Sequence, residues 1–209
     1  AERQAFHADG RTVWLRSTVS AVLERGVPAH AVAFVEDVTD RKCAELELER
    51  RALTDALTGL ANRDLLIDHL QLAVQQQERY GTRVALIYID VDRFKDVNDA
   101  YGHDVGDWIL REIAHRLAAA VRAADTAGRL GGDEFAVVCP QLDSDGDLEV
   151  LIRRLMAALS PPIAARDGRA YEIAVSIGGA LSDGQVGASE LLRRADVAMY
   201  DAKRRGRGR

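Results

Sequence analysis

The chain has 209 residues, 47% of them hydrophobic and 29% charged, with a formal net charge of −5 at pH 7. That length suits one full-sized core plus an appendage, and the acidic balance gives no reason to expect a binder of duplex nucleic acid. No apolar run reaches the length of a bilayer span, and the opening AERQAFHADG lacks the basic flank and hydrophobic middle of a signal peptide, so the expectation is a cytoplasmic chain without a membrane segment.

In chain order, Thr12 to Glu24 and His30 to Thr39 alternate β-branched or aromatic residues with polar ones around Gly26 and Pro28, which predicts a strand pair joined by a turn. Two strands cannot bury a core alone, so this segment is the end of something larger or leans on the rest. From Asp40 the pattern becomes helical, with Leu46, Leu53 and Leu60 seven apart and Leu57 beside them. A coiled-coil seam and a surface helix both fit so few heptads. After GLANR a second helix runs to about Tyr80, with Gly81 as its stop. The run RVALIYIDVDRF predicts a strand covered on both faces, hence central in its sheet, ending in Asp90 and Asp92.

A helix over DVGDWILREIAHRLAAAVRAAD follows from the spacing of Ile109, Ile113, Leu117 and Val121, and RLGGDEFAVV then predicts a hairpin. A helix from about Gly146 to Ser160 stops at Pro161 and Pro162; a long strand, RAYEIAVSIGGALS, and a last helix, ASELLRRADVAMYDAKRRG, complete the chain. The class is α/β (α+β), a central mixed sheet flanked by helices. Cys43 and Cys139 have neither metal-ligand spacing nor disulfide density and are expected to be free thiols.

Asp90, at the end of a buried strand, is a candidate ligand at the rim of the sheet. If the hairpin bearing Asp133 and Glu134 pairs beside that strand, three carboxylates converge and require a cation. Oxygen ligands without His or Cys point to Mg²⁺ or Mn²⁺, and Gly131 and Gly132 would let backbone approach a phosphate. A plain Gly-Gly hairpin turn with solvated acids fits the motif alone equally well. The spaced Asp90 tips the balance modestly toward the metal.

RLGGDEF, together with DVDRFKDVNDAYGHDVGD and LTGLANR, resembles the GGDEF family of diguanylate cyclases over Thr54 to Arg209. The resemblance implies a palm-like nucleotide-cyclase fold and condensation of two GTP into cyclic di-GMP and two pyrophosphates across a homodimer. It implies catalytic roles for Gly131, Gly132, Asp133 and Glu134, and Mg²⁺ or Mn²⁺ held by Asp90, the Val91 carbonyl, Asp133 and Glu134. Lys95, Lys203 and Arg207 would hold the phosphates, Asn98 and Asp107 would read guanine, and Phe94 would be a further substrate-binding residue. Arg122 and Asp125, with Arg153 as a further contact, would form an RxxD site for inhibitory product. Asp55 and Arg63 are candidates for an ion pair tying the preceding helix to the catalytic core.

Residues 1–39 resemble the closing strands of a PAS sensory domain, which implies a division into 1–39, a linker helix over 40–56 and the cyclase domain over 57–209. No heme or flavin is expected from so partial a sensor. The alternative is a non-catalytic receptor for GTP or cyclic di-GMP that signals through dimerisation.

Overall fold

The computed structural model describes residues 2–25, 27–142, 144–164, 168–206 and 208. It forms two compact units, Ala1–Ala52 and Leu53–Arg209. In the first, β1 (Glu2–Phe6), β2 (Thr12–Glu24) and β3 (Val27–Asp37) make an antiparallel sheet in that order. β1 is too short and polar to show alternation, so only its pairing with β2 reveals it. β3 starts earlier than the residue pattern suggests because a register shift at Val22/Leu23 accommodates Pro28, which has no ladder N–H to donate. α1 (Thr39–Leu53) follows; Asp37 Oδ1 accepts from Thr39 N at 2.9 Å at its start.

In the second unit the chain turns immediately after α1. Asp55 Oδ1 accepts from Thr58 N (2.9 Å) and Thr58 Oγ1 (2.7 Å), so Leu60 does not continue the seam of Leu46 and Leu53. Leu57 and Leu60 instead pack against the main core. α2 (Arg63–Tyr80) is capped by Asn62, whose side chain accepts from Leu65 N, and ends at Gly81 in the left-handed region at φ 66°.

β4 (Arg83–Val91), β5 (Thr126–Gly131), β6 (Glu134–Leu142) and β9 (Val175–Leu181) form one sheet in the order β5-β6-β4-β9. Its three strand pairs are all antiparallel. The α/β class expected from the sequence is the one observed, with the central sheet antiparallel rather than mixed. β4 is apolar along its length because both faces are covered. Val84, Leu86 and Tyr88 meet Leu66 and Leu70 of α2 and Leu191, Ala195 and Met199 of α6 (Ala188–Arg204). Ala85, Ile87, Ile89 and Val91 meet Ile109, Ile113 and Leu117 of α4 (His103–Ala120) and Leu155 of α5 (Asp145–Leu159).

α6 lies so close to β9 that a Cβ on Gly178 would stand 1.9 Å from Met199 N. The expected long strand is broken: β8 (Ala170–Tyr171) pairs with β7 (Ile163–Ala164), and between β8 and β9 Ala174 O accepts from Asp92 N at 2.9 Å. α3 (Phe94–Tyr101) is an additional short helix, entered through Arg93 at φ 55°. α4 stops at Ala120 rather than running on to Asp125, because RAAD forms its own turn: Arg122 N donates to Asp125 Oδ2 (2.9 Å) and Asp125 N to Arg122 O (3.0 Å).

Candidate active site

Antiparallel pairing sets Asp90 of β4 opposite Glu134 of β6 on one side and Ser176 of β9 on the other. Two residues on from Tyr88, Asp90 shares the face covered by α2 and α6. There Lys203, on the last turn of α6, reaches it with Nζ 2.6 Å from Oδ1, and the Asp90 side chain is only 9% exposed.

Gly131 (φ 145°) pairs with Glu134, leaving Gly132 (φ 53°) and Asp133 as the turn. Both glycines adopt dihedrals that a Cβ would strain, which is why the sequence places glycine at each. Val91 N donates to Asp133 O at 3.2 Å, fixing the turn against the end of β4. Glu134 Oε2 accepts from the Tyr88 hydroxyl at 3.0 Å.

Burial pushes the Asp90 carboxyl above its ordinary value; the Lys203 ammonium offsets part of that, and the charges of Asp133 and Glu134 add to the upward push. Burial and the adjacent Glu134 likewise raise the Tyr88 phenol. The donors here are hard carboxylate oxygens whose mutual repulsion a divalent cation would relieve, so the residues fit Mg²⁺ or Mn²⁺. Among the described residues no three His, Cys, Asp or Glu side chains converge as a ready-made metal cluster. A cation would therefore draw on Asp90 and its neighbours together with backbone carbonyls and oxygens of a phosphate ligand.

Arg129 links this turn to the segment that follows α1. Its Nη1 is 3.1 Å from Asp55 Oδ1, while Nε and Nη2 donate to Gly132 O at 3.0 and 2.6 Å. The guanidinium is the ion-pair partner of Asp55, in place of the expected Arg63. Burial raises the Asp55 carboxyl, but hydrogen bonds from Thr58 and Arg129 outweigh it and hold the group below its ordinary value. Arg129 was legible only as part of a motif; its role depends on a contact 74 residues back along the chain.

On the other side of the strand end, α3 meets α4. Asn98 and Phe94 face Gly106, the residue before Asp107. Asp107 Oδ2 lies 3.8 Å from Arg111 Nη2 on its own helix. Lys95 is exposed in the first turn of α3. Arg207 lies outside the described residues.

A separate cavity of about 250 Å³ is lined by Arg122, Asp125, Cys139, Gln141, Asp147 and Arg154, among others. Arg154 Nη2 lies 4.0 Å from Asp125 Oδ2. The expected Arg153 is exposed and is not among the lining residues, because Asp147, Val150, Leu151 and Arg154 make up the stripe of α5 that faces the cavity. Both cysteines are free, Cys43 exposed and Cys139 buried. No helix among the described residues is long and apolar enough to cross a membrane.

Residues 52–209 match the family model described as "Diguanylate cyclase, GGDEF domain". The bifunctional diguanylate cyclase/cyclic di-GMP phosphodiesterase MucR of Pseudomonas aeruginosa is 46% identical over 168 residues, covering 78% of this chain and 24% of MucR. The response regulator PleD of Caulobacter vibrioides is 40% identical over 158 residues, covering 75% of this chain and 35% of PleD. The chain thus spans about a quarter to a third of these relatives.

Among solved structures, the coiled coil and GGDEF domain of DgcB from Caulobacter crescentus, in complex with c-di-GMP, superposes with a TM-score of 0.74 at 32% identity, covering 81% of this chain and 91% of that one. The diguanylate cyclase SiaD from Pseudomonas aeruginosa, in complex with its activator SiaC, gives 0.73 at 34% identity, covering 81% of this chain and 65% of that one. With the matched segment spanning the acidic strand end, the glycine turn and all of the second unit, the chain belongs to the GGDEF-domain diguanylate cyclase family.

Proposed function

We propose that the chain is a diguanylate cyclase that joins two GTP into cyclic di-GMP and releases two pyrophosphates. The observation that carries this reading is the pairing of Asp90 with Glu134 across two central strands, capped by a two-glycine turn. Asp90, the Val91 carbonyl, Asp133 and Glu134 would hold the divalent cation. When bound, the cation supplies Lewis-acid stabilisation of the charge that grows on the phosphate oxygens.

The ribose 3′-oxygen of one GTP forms a bond to the α-phosphorus of the other as the bond to the β-phosphate bridging oxygen breaks and pyrophosphate leaves. Glu134, held by the Tyr88 hydroxyl, accepts the 3′-hydroxyl proton or helps hold the cation. Lys95, Lys203 and Arg207 bind the phosphates, and Phe94 is a further substrate-binding residue, packed with Asn98 against Gly106. Lys203 already carries its charge into the acidic centre, at 2.6 Å from Asp90.

Asn98 and Asp107 read the base. Guanine presents N–H donors on the edge where adenine presents an acceptor, so carboxylate and amide oxygens favour GTP over ATP. The Asn98 Oδ1, buried without a hydrogen-bond partner, is an acceptor of that kind.

Each domain holds one GTP, so ring closure needs two domains facing each other in a homodimer. The helix from residue 40 would raise the effective concentration of the partner. Residues 1–39 form the end of a PAS-like sensor, 40–56 the signalling linker, helical as far as Leu53, and 57–209 the cyclase domain. Arg122 and Asp125 bind cyclic di-GMP as an inhibitor, with Arg154 lining the same cavity in support.

Incubation with GTP and Mg²⁺ followed by nucleotide analysis tests the proposal, with Asp133→Ala as control. Cyclic di-GMP from the parent and none from the variant supports it. Bound GTP without turnover in a verified dimer overturns it in favour of a receptor.

A further inference from the structure

Gly106 sits on α4, buried, at a position whose φ is not positive, so nothing in its backbone requires glycine. Glycine also weakens a helix relative to alanine. What the missing side chain provides is space: a Cβ built there would lie 1.9 Å from Asn98 Oδ1, 3.0 Å from Asn98 Cγ and 3.1 Å from Phe94 Cζ. These three nearest obstacles are ends of side chains. Gly178 differs, since its Cβ would strike the backbone of Met199. The amide oxygen that fills the space makes no bond within the protein, since Asn98 Oδ1 is buried with no hydrogen-bond partner.

We infer that Gly106 is a positioning residue of the base pocket, seating the Asn98 amide and the Phe94 ring in the space a side chain would take. The inference rests on the reading of Asn98 as a base contact. A methyl at 106 would push the amide out of place while leaving the helix intact or firmer. Base recognition and fold stability would then move in opposite directions.

The test compares Gly106→Ala, Asn98→Ala and the double variant in the full chain by thermal melting and by GTP kinetics, with ATP as competitor. Gly106→Ala should melt at or above the parent temperature, with KM for GTP up about tenfold, the equivalent of one lost hydrogen bond, and kcat falling less. The double variant should be no worse than Asn98→Ala alone, since both changes remove the same contact. If Asn98→Ala raises KM and Gly106→Ala leaves it within twofold, the role of Gly106 is refuted while the base reading stands. If Asn98→Ala itself leaves KM unchanged, the base reading fails and takes this inference with it. A Gly106→Ala chain that melts several degrees lower would make the glycine a packing residue and overturn the inference.

Discussion

Arg129→Met removes the strap between the turn at Gly132 and the segment after α1. The guanidinium is 12% exposed and Asp55 24% exposed, so the pair is largely withdrawn from water. Truncating one partner of a fully buried pair costs about 3–5 kcal/mol, and a charge-assisted hydrogen bond contributes about 1.5–3 kcal/mol net. Here Asp55 keeps two bonds from Thr58, and Gly132 is at the surface, so neither partner is stranded. The expected loss is therefore about 2–4 kcal/mol, a fall in melting temperature of about 5–12 °C for a domain of this size.

Arg129→Lys should recover less than half, since a single ammonium cannot span the carboxylate and the carbonyl as the planar fork does. Calorimetric melts of Arg129→Met, Asp55→Asn and the double variant form a cycle whose coupling should be about 1–3 kcal/mol. Losses additive within about 0.5 kcal/mol would refute the strap.

Acid should act through the same carboxylate. The folded Asp55 titrates below its ordinary value, so its contribution is fully present above the unfolded value of about 3.9 and disappears as pH falls through the folded one. Asp55→Asn should flatten the stability curve over that window, as read by urea midpoints; an unchanged acid limb would contradict the assignment. Gly178→Ala forces a Cβ to within 1.9 Å of Met199 N, so α6 must shift and stability should fall by about 1–3 kcal/mol or more, against a denaturation midpoint that would otherwise not move. Lys203→Ala should raise KM for GTP by about 10–100-fold through loss of a charged phosphate contact, and an unchanged KM would remove Lys203 from the phosphate site. Asp107→Ala should narrow the preference for GTP over ATP, measured as a ratio of kcat/KM; an undiminished ratio would take Asp107 out of base reading.

Much of the fold was legible because its signals are local. The apolar run of β4 implied cover on both faces, and Gly81 and the paired prolines marked helix ends. What escaped depends on contacts distant in sequence. β1 has no pattern of its own, Leu60 fits a heptad by number but leaves the helix when Asp55 takes the Thr58 amide, and the strand after Ala170 breaks before β9, where Ala174 O accepts from Asp92 N. In the site, strand ends and glycines could be read one by one. The bridge from Arg129 to Asp55, the place of Arg154 in the lining of the cavity beside Arg122 and the nesting of Asn98 on Gly106 follow from how helices are rotated against the sheet, which spacing does not specify.

In the proposed function Asp90, opposed to Glu134 at the end of β4, organises Mg²⁺-dependent synthesis of cyclic di-GMP. Turnover of GTP by Asp90→Asn beside the parent chain, at matched protein concentration and with melting curves for both, tests it most directly. The variant should fold, with synthesis lower by roughly 10³-fold, since cation stabilisation of several kcal/mol is lost and each 1.36 kcal/mol is tenfold in rate. A folded Asp90→Asn chain that makes cyclic di-GMP within a few-fold of the parent would contradict it.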